Sequence, residues 1–221
     1  MLELGRTIGV LWDMDGVITD SGEAHYISWF KALDQHGIMI SRKFFQKTFG
    51  MNNTGILSLL LNRQATEQEV DTIGGLKEEL FRQDIKGRVE PLPGVTEWLQ
   101  RFARSGIGQA VASSAPQENI DVIVDELGLR ERFQAIVSGS KLSGKPDPAT
   151  FLLAADHLGV DPADCLVIED ARVGVEAARR GGMKCIAVCT THTRDELEGA
   201  DIVVDRLTDL KAEDLASLFT Q

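Results

Sequence analysis

Two acids one residue apart, Asp13 and Asp15, follow a short apolar run and precede Gly16. That spacing lets both carboxylates point into one mouth while the glycine permits a tight turn. Further along stand Ser113-Ser114, then Lys145 in Gly144-Lys145-Pro146-Asp147-Pro148, then Glu169-Asp170 directly after Leu166-Val167-Ile168. Each has a plain structural use, since acids end strands, serines cap helices and loop lysines are solvated. Two acids at the end of so apolar a strand are the hardest to explain that way. Taken in order, these clusters would bring a hydroxyl, a cation and four carboxylates to one place. So many carboxylates need a divalent cation, and an all-oxygen ligand set favours magnesium.

Positioning them falls to six short apolar runs, at 7–12, 109–112, 135–137, 165–168, 184–188 and 202–204, which read as buried parallel strands. Between them lie amphipathic stretches of helical length, 94–104, 117–127, 148–158 and 173–180, closed by Gly106, Gly128, Gly159 and Gly181. Such alternation predicts a doubly wound, Rossmann-like α/β sheet, whose ligands bind beyond the carboxyl ends of the strands. One interval breaks it. From Asp20 to Glu90 only helical patterns occur, at 24–36, 42–49, 54–61 and 67–85, before the sheet resumes at Pro91-Leu92-Pro93-Gly94. The expected organisation is a core of residues 1–18 and 91–221 with an inserted helical cap of residues 19–90.

The 221 residues carry 34 Asp and Glu against 23 Lys and Arg, a net charge of −11, and 43% are apolar. This composition excludes disordered and fibrous classes. The acidic balance argues against nucleic acid or an anionic membrane as partner, and taken globally it would repel a phosphorylated ligand. The charge is uneven, however: −1 over residues 19–90 and −10 over the rest. No apolar run approaches the roughly 18 residues of a spanning helix. Because the stretch 1–12 holds Glu3 and runs straight into Asp13, a cytoplasmic, unprocessed chain is expected, as a monomer or weak homo-oligomer. Cys165, Cys185 and Cys189 are odd in number and lack C-x-x-C spacing, so they read as buried free thiols.

In this order the four clusters resemble the haloacid dehalogenase-like superfamily, and the match spans essentially the whole chain. Asp13-Met14-Asp15-Gly16-Val17-Ile18-Thr19-Asp20-Ser21, followed by His25 and Trp29, is similar to β-phosphoglucomutase-like phosphatases and mutases where they lead into their helical cap. The resemblance implies that Asp13 is the nucleophile, giving an aspartyl-phosphate, and that Asp15 protonates the leaving alcohol and then serves as base. It places magnesium on the Asp13 carboxylate, the Asp15 carbonyl and Asp170, with Glu169 assisting directly or through water. Phosphate would be held by the Asp13-Met14-Asp15 loop, Ser113, Ser114 and Lys145. A dehalogenase of the same superfamily works without metal and has no need of Asp15, so Asp15 and Glu169-Asp170 argue against dehalogenation.

Substrate choice would lie in the cap. Where the mutases resembled here carry an arginine for a second phosphate, Gly50-Met51-Asn52-Asn53 offers Asn53, and the loop after Ser114 lacks their lysine. Arg42, Lys43 or Lys47 could supply a cation from elsewhere in the cap. His25 matches a histidine coupled to positioning of the acid, or packs at the hinge. Trp29, Phe30 and Leu33 read as cap core, Phe49 and Met51 as lining of the substrate entrance, and His192 as a surface cap. The expected function is a magnesium-dependent phosphatase of small phosphorylated metabolites, with a hexose-phosphate mutase as the alternative. A phospho-aspartate signalling module would use similar residues, but it places its acidic pair before the phosphoacceptor and has no such insertion.

Overall fold

A computed structural model of the chain describes residues 7–219. Residues 1–6 and 220–221, with Glu3 and the outer ends of the expected core, lie outside the described residues. The strands are β1 (Gly9–Trp12), β2 (Gly108–Ser113), β3 (Ala135–Ser138), β4 (Cys165–Glu169), β5 (Lys184–Val188) and β6 (Ile202–Val204). They form one parallel sheet in the order β3-β2-β1-β4-β5-β6, the Rossmann-like arrangement expected.

Between β1 and β2 the chain runs through α1 (Gly22–Asp34), α2 (Arg42–Thr48), α3 (Asn53–Leu61), α4 (Glu67–Glu69) and α5 (Gly75–Ile85). These helices gather around Trp29, Leu33, Phe45, Phe49, Ile56 and Leu57. Trp29 and Leu33 are buried there, whereas Phe30 is 46% exposed, because neighbouring helical positions point about 100° apart and cannot both face one core. The 67–85 pattern is not one regular helix. A capping box of Thr66 and Glu69 starts it, and a wide π turn over Val70–Gly74 then precedes α5. The extra residue in such a turn shifts which face follows, and α5 buries Lys77 and Glu78 along with Phe81 and Ile85.

Five further helices, α6 to α10, cover the sheet. First in sequence, before β2, α6 (Val95–Arg104) buries Val95, Trp98, Leu99 and Phe102, a spacing of one helical face. Each such side chain contributes roughly 2 kcal/mol of burial. Beyond β2 follow α7 (Gln117–Glu126), α8 (Ala149–Leu158), α9 (Arg172–Arg180) and α10 (Ala212–Phe219). The wholly buried β1 sends Val10 and Trp12 into a core shared with α6, α7 and α10, and Leu11 into a second core shared with α8 and α9. A strand with no polar face requires that double cover. Trp12 Nε1 donates to Gln109 Oε1 (3.1 Å), and Gln109 Nε2 to the Leu99 carbonyl (3.1 Å), so the polar atoms of these two buried side chains have partners. Helix α10 is an addition to the sequence reading, and the left-handed residue after α9 is Gly182 rather than Gly181.

The sheet places the site. With β2 on one side of β1 and β4 on the other, the connections diverge there and open a crevice beyond the carboxyl ends of the strands. Trp12 lies level with Val111 and with Ile168, so Asp13, Ser113 and Glu169 emerge at one edge.

Candidate active site

Asp13, one residue past β1, donates its N–H to the Ile168 carbonyl (3.0 Å), which pins it beside β4. Lys145 is 1% exposed, which excludes a solvated loop lysine. Its Nζ stands 2.5 Å from Asp13 Oδ1 and 2.6 Å from Glu169 Oε1. Glu169 Oε2 accepts the N–H groups of Asp170 and Ala171, both at 2.8 Å, so its carboxylate is fixed by three donors. It fits only because residue 174 in α9 is glycine, where a Cβ would overlap the carboxylate. A glycine inside a helix just after a buried acid was the available sequence signal for this contact. Asp170 is fully buried: its Oδ2 accepts a hydrogen bond from Thr191 Oγ1, and a Cβ on Gly16, which sits at φ +86°, would overlap the same carboxylate.

Burial pushes the Asp13 carboxyl up to about 8, opposed by Lys145 and reinforced by Glu169 and Asp15. Burial likewise pushes Asp170 well above the carboxylate range, with Glu169 and Asp13 adding to the rise. For Lys145, burial disfavours the charge, but Asp13 and Glu169 outweigh it and hold the ammonium ionised. Three carboxylates thus face one cation. Asp13, Glu169 and Asp170 offer oxygens that all lie within 4.8 Å of one another, and Asp170 Oδ1 is buried without a hydrogen-bond partner. A hard divalent cation fits this donor set: it would take the orphaned oxygen and relieve the like-charge crowding.

Asp15 lies across the mouth. Its Oδ1 accepts Ser21 Oγ (2.5 Å) and meets His25 Nε2 at 3.0 Å. His25 Nδ1 is 2.8 Å from Lys77 Nζ. Since an ammonium can only donate, Nδ1 accepts and Nε2 carries the proton that Asp15 receives. The ring also stacks on Phe81 with centroids 3.8 Å apart, so His25 both packs and hydrogen-bonds. Burial alone would raise Asp15, but His25, Ser21 and Lys77 prevail and lower it. Lys77 continues to Glu78 Oε1 (2.9 Å), which also accepts Asn53 Nδ2 (2.8 Å). Neither Lys77 nor Glu78 was singled out by sequence, because Lys77-Glu78-Glu79 reads as a solvated helix face.

Ser113 and Ser114 do not cap α7, whose N-cap is Pro116. Ser113 Oγ accepts the Ala115 N–H (3.1 Å), while Ser114 Oγ donates to the Gly50 carbonyl (2.7 Å) of the helical insertion. Met14 belongs to the buried core, so what it offers the mouth is its backbone. A chamber of about 50 Å³ is lined by Asp13, Asp15, His25 and Ser113, with Phe49 and Met51 as expected. The insertion cation on this lining is Lys77, not Arg42, Lys43 or Lys47. Arg42 is taken by Glu23 (2.6 Å) and lies over Tyr26, and Lys43 and Lys47 point from exposed positions of α2. His192 does not cap the turn that follows it; Thr193 does, and the His192 ring lies 3.1 Å from the Asp170 carbonyl. Cys165 and Cys185 are buried free thiols, and Cys189 is half-buried.

The sequence matches the haloacid dehalogenase-like hydrolase family over residues 10–188. It is 33% identical to the β-phosphoglucomutase of Bacillus subtilis over 92% of both chains. It is 30% identical to the fructose-1-phosphate phosphatase YqaB of Escherichia coli, covering 83% of this chain and 97% of that one. A chloroplastic 5-amino-6-(5-phospho-D-ribitylamino)uracil phosphatase of Arabidopsis thaliana is 31% identical, and there the chain spans 57% of the relative's length. Among solved structures, β-phosphoglucomutase from Clostridium difficile superposes with a TM-score of 0.86 at 28% identity, covering 97% of each chain. No helix among the described residues is long and apolar enough to cross a membrane.

Proposed function

This chain belongs to the haloacid dehalogenase-like hydrolases, and from that premise we propose that it is a magnesium-dependent phosphatase of small phosphate monoesters, sugar phosphates among them. The observation that carries the reading is the buried Asp13 carboxylate, held by Lys145 opposite the Asp15–His25 pair. Residues 19–90 act as a cap over this mouth, and residues 1–18 and 91–221 as the catalytic core.

Asp13 attacks phosphorus through a carboxylate oxygen, forming an aspartyl-phosphate as the ester P–O bond breaks. Asp15 delivers a proton to the departing alkoxide, then takes one from the water that cleaves the aspartyl-phosphate, so Asp13 is regenerated and inorganic phosphate released. The first step needs Asp15 protonated and the second needs it ionised; Ser21 and His25 favour the ionised form, so the proton for the alkoxide is taken up, from solvent or from the P–OH of a monoanionic ester, before the P–O bond breaks, and the water of the second step restores it. Lys145 offsets the repulsion between Asp13 and the incoming anion. Ser113, whose oxygen already accepts the Ala115 N–H, has its hydroxyl proton left to donate to a phosphoryl oxygen, beside Ser114 and the Met14–Asp15 backbone. Asp13, the Asp15 carbonyl, Asp170 and Glu169 are the residues that would hold magnesium, which when bound supplies positive charge to the transferring phosphoryl group. With that cation and Lys145 at the mouth, the global charge of −11 does not decide whether an anion binds.

The likeness to β-phosphoglucomutases over nearly the whole chain favours a second reading, a hexose-phosphate mutase. Against it, Asn53 is committed to Glu78 and brings no cation to the chamber. Phosphate release from glucose 1-phosphate, glucose 6-phosphate, fructose 1-phosphate and phosphoglycolate with magnesium tests both. A phosphatase frees inorganic phosphate without priming, whereas a mutase returns an isomeric monophosphate and depends on a bisphosphate. Negligible release and no isomerisation across the panel would overturn the assignment.

A further inference from the structure

One buried acid beside the mouth has no part in the proposed chemistry. Glu78 is 5% exposed, and its carboxylate is aimed by three donors: Lys77 Nζ (2.9 Å) and Asn53 Nδ2 (2.8 Å) on Oε1, and Asn119 Nδ2 (2.6 Å) on Oε2. Asn119 is itself oriented by Arg82, which donates to its Oδ1 at 2.8 Å. Burial opposes the charge on Glu78, but Lys77, His25 and Asn53 outweigh it and the group is held ionised. Glu78 lines the chamber that holds Asp13 and also the adjoining cleft of about 630 Å³; Asn53 and Ser114 are the other residues common to both. A leaving group that extends from the chamber into this cleft passes Glu78.

We propose that Glu78 sets substrate specificity by excluding leaving groups that carry a second anion, so that the substrates are phosphate monoesters of neutral, hydroxylated alcohols. The inference rests on the phosphatase reading above. Lys77 offsets Glu78 on one side only: its ammonium meets Oε1 and the His25 ring, whereas Oε2 is held by the neutral Asn119 amide. The cleft beyond adds Asp71 and Glu118 against Arg82 and Lys141, two acids against two bases, so it brings no net positive charge to offset Glu78. A second phosphate or carboxylate at this throat would meet a carboxylate with little water between them, a juxtaposition that suppresses wrong partners strongly. A sugar hydroxyl meets something else. A carboxylate has about four acceptor sites, and with three taken one remains for a neutral donor.

The test compares kcat/KM for fructose 1-phosphate with that for fructose 1,6-bisphosphate and phosphoglycolate, in the wild type and in Glu78→Gln, with magnesium. The wild type should prefer the monophosphate by ~10-fold or more, and Glu78→Gln should shrink that preference ~10-fold. A merely structural role for Glu78 would lower all three substrates in parallel and leave the ratio unmoved. Calorimetric binding of the same ligands to Asp13→Asn, with and without Glu78→Gln, reads the ratio without turnover. If no ester is hydrolysed, the phosphatase reading fails while the binding ratio still decides the role of Glu78. A wild type that accepts the bisphosphate as readily as the monophosphate overturns the proposal whether or not the variant folds, as does an unchanged ratio in a folded Glu78→Gln.

Discussion

Lys145 and Asp13 meet at 2.5 Å across 132 residues of sequence, and among the described residues neither has another charge of opposite sign so near except the Glu169 that Lys145 also holds. One ammonium thus ties the end of β1 to the end of β4 at the point where the strand connections diverge. The pair is a structural joint as well as a chemical one, and loss of either member has different consequences.

Removing the cation leaves two buried acids unopposed. Lys145→Met should cost about 3–5 kcal/mol of stability in urea denaturation without metal, since breaking a buried pair strands its partner. Magnesium should return part of that loss. Turnover should fall on the order of 10²–10³-fold even where the variant is folded. Unchanged stability in the metal-free protein would contradict the buried-joint assignment.

Removing the acid is gentler on the fold. Asp13→Asn keeps a hydrogen-bond acceptor for Lys145 and lessens the crowding with Glu169 and Asp170, so its thermal melt should stay within a few degrees of the wild type. Phosphate release should vanish, because an amide cannot form the aspartyl-phosphate. Retained turnover in a sequence-verified preparation would refute Asp13 as nucleophile.

Magnesium should raise the melting temperature. A ligand bound only by the folded state at ~100 times its Kd stabilises by about 2.7 kcal/mol. Asp170→Asn should abolish most of that rise, because it removes the carboxylate whose Oδ1 is buried and unpartnered. Differential scanning calorimetry with and without a chelator reads both; an equal rise in the variant would exclude Asp170 as a ligand.

The thiols give a pH-dependent readout away from catalysis. Burial pushes Cys165 up to about 12, with Asp164 and Asp161 adding to the rise, and burial pushes Cys185 well above its usual value. An unfolded thiol titrates near 8.5, so at pH 8 both should resist a thiolate-selective reagent in the native protein and react on denaturation. The sign for stability follows. With the folded value raised, the contribution is whole below about pH 8.5 and declines as pH climbs towards 12, because the unfolded chain releases its protons first. Rapid native labelling at Cys165 would show that its surroundings are open.

The strands and the four polar clusters at their ends were legible because apolar runs such as Gly9–Trp12 and Cys165–Glu169 end abruptly in acids, a pattern with few structural uses. The link from Asp15 through His25 to Lys77 and Glu78 was not. Its members come from the β1 loop, α1 and α5, and the wide turn at Val70–Gly74 buries a charged stretch that a regular periodicity assigns to solvent. Thr191 escaped for a similar reason: in Cys189-Thr190-Thr191-His192-Thr193 nothing distinguishes the hydroxyl that holds Asp170 from its neighbours. Long-range partners leave no local periodicity to read.

Asp13 is the single buried carboxylate that Lys145 holds at the end of β1, and it can carry one phosphoryl group at a time. In the proposed reaction the alcohol is therefore free to leave as soon as the aspartyl-phosphate forms, whereas phosphate is released only after water has cleaved it, and phosphate is the last to go. Inorganic phosphate should compete with substrate in product-inhibition kinetics, whereas the alcohol should not.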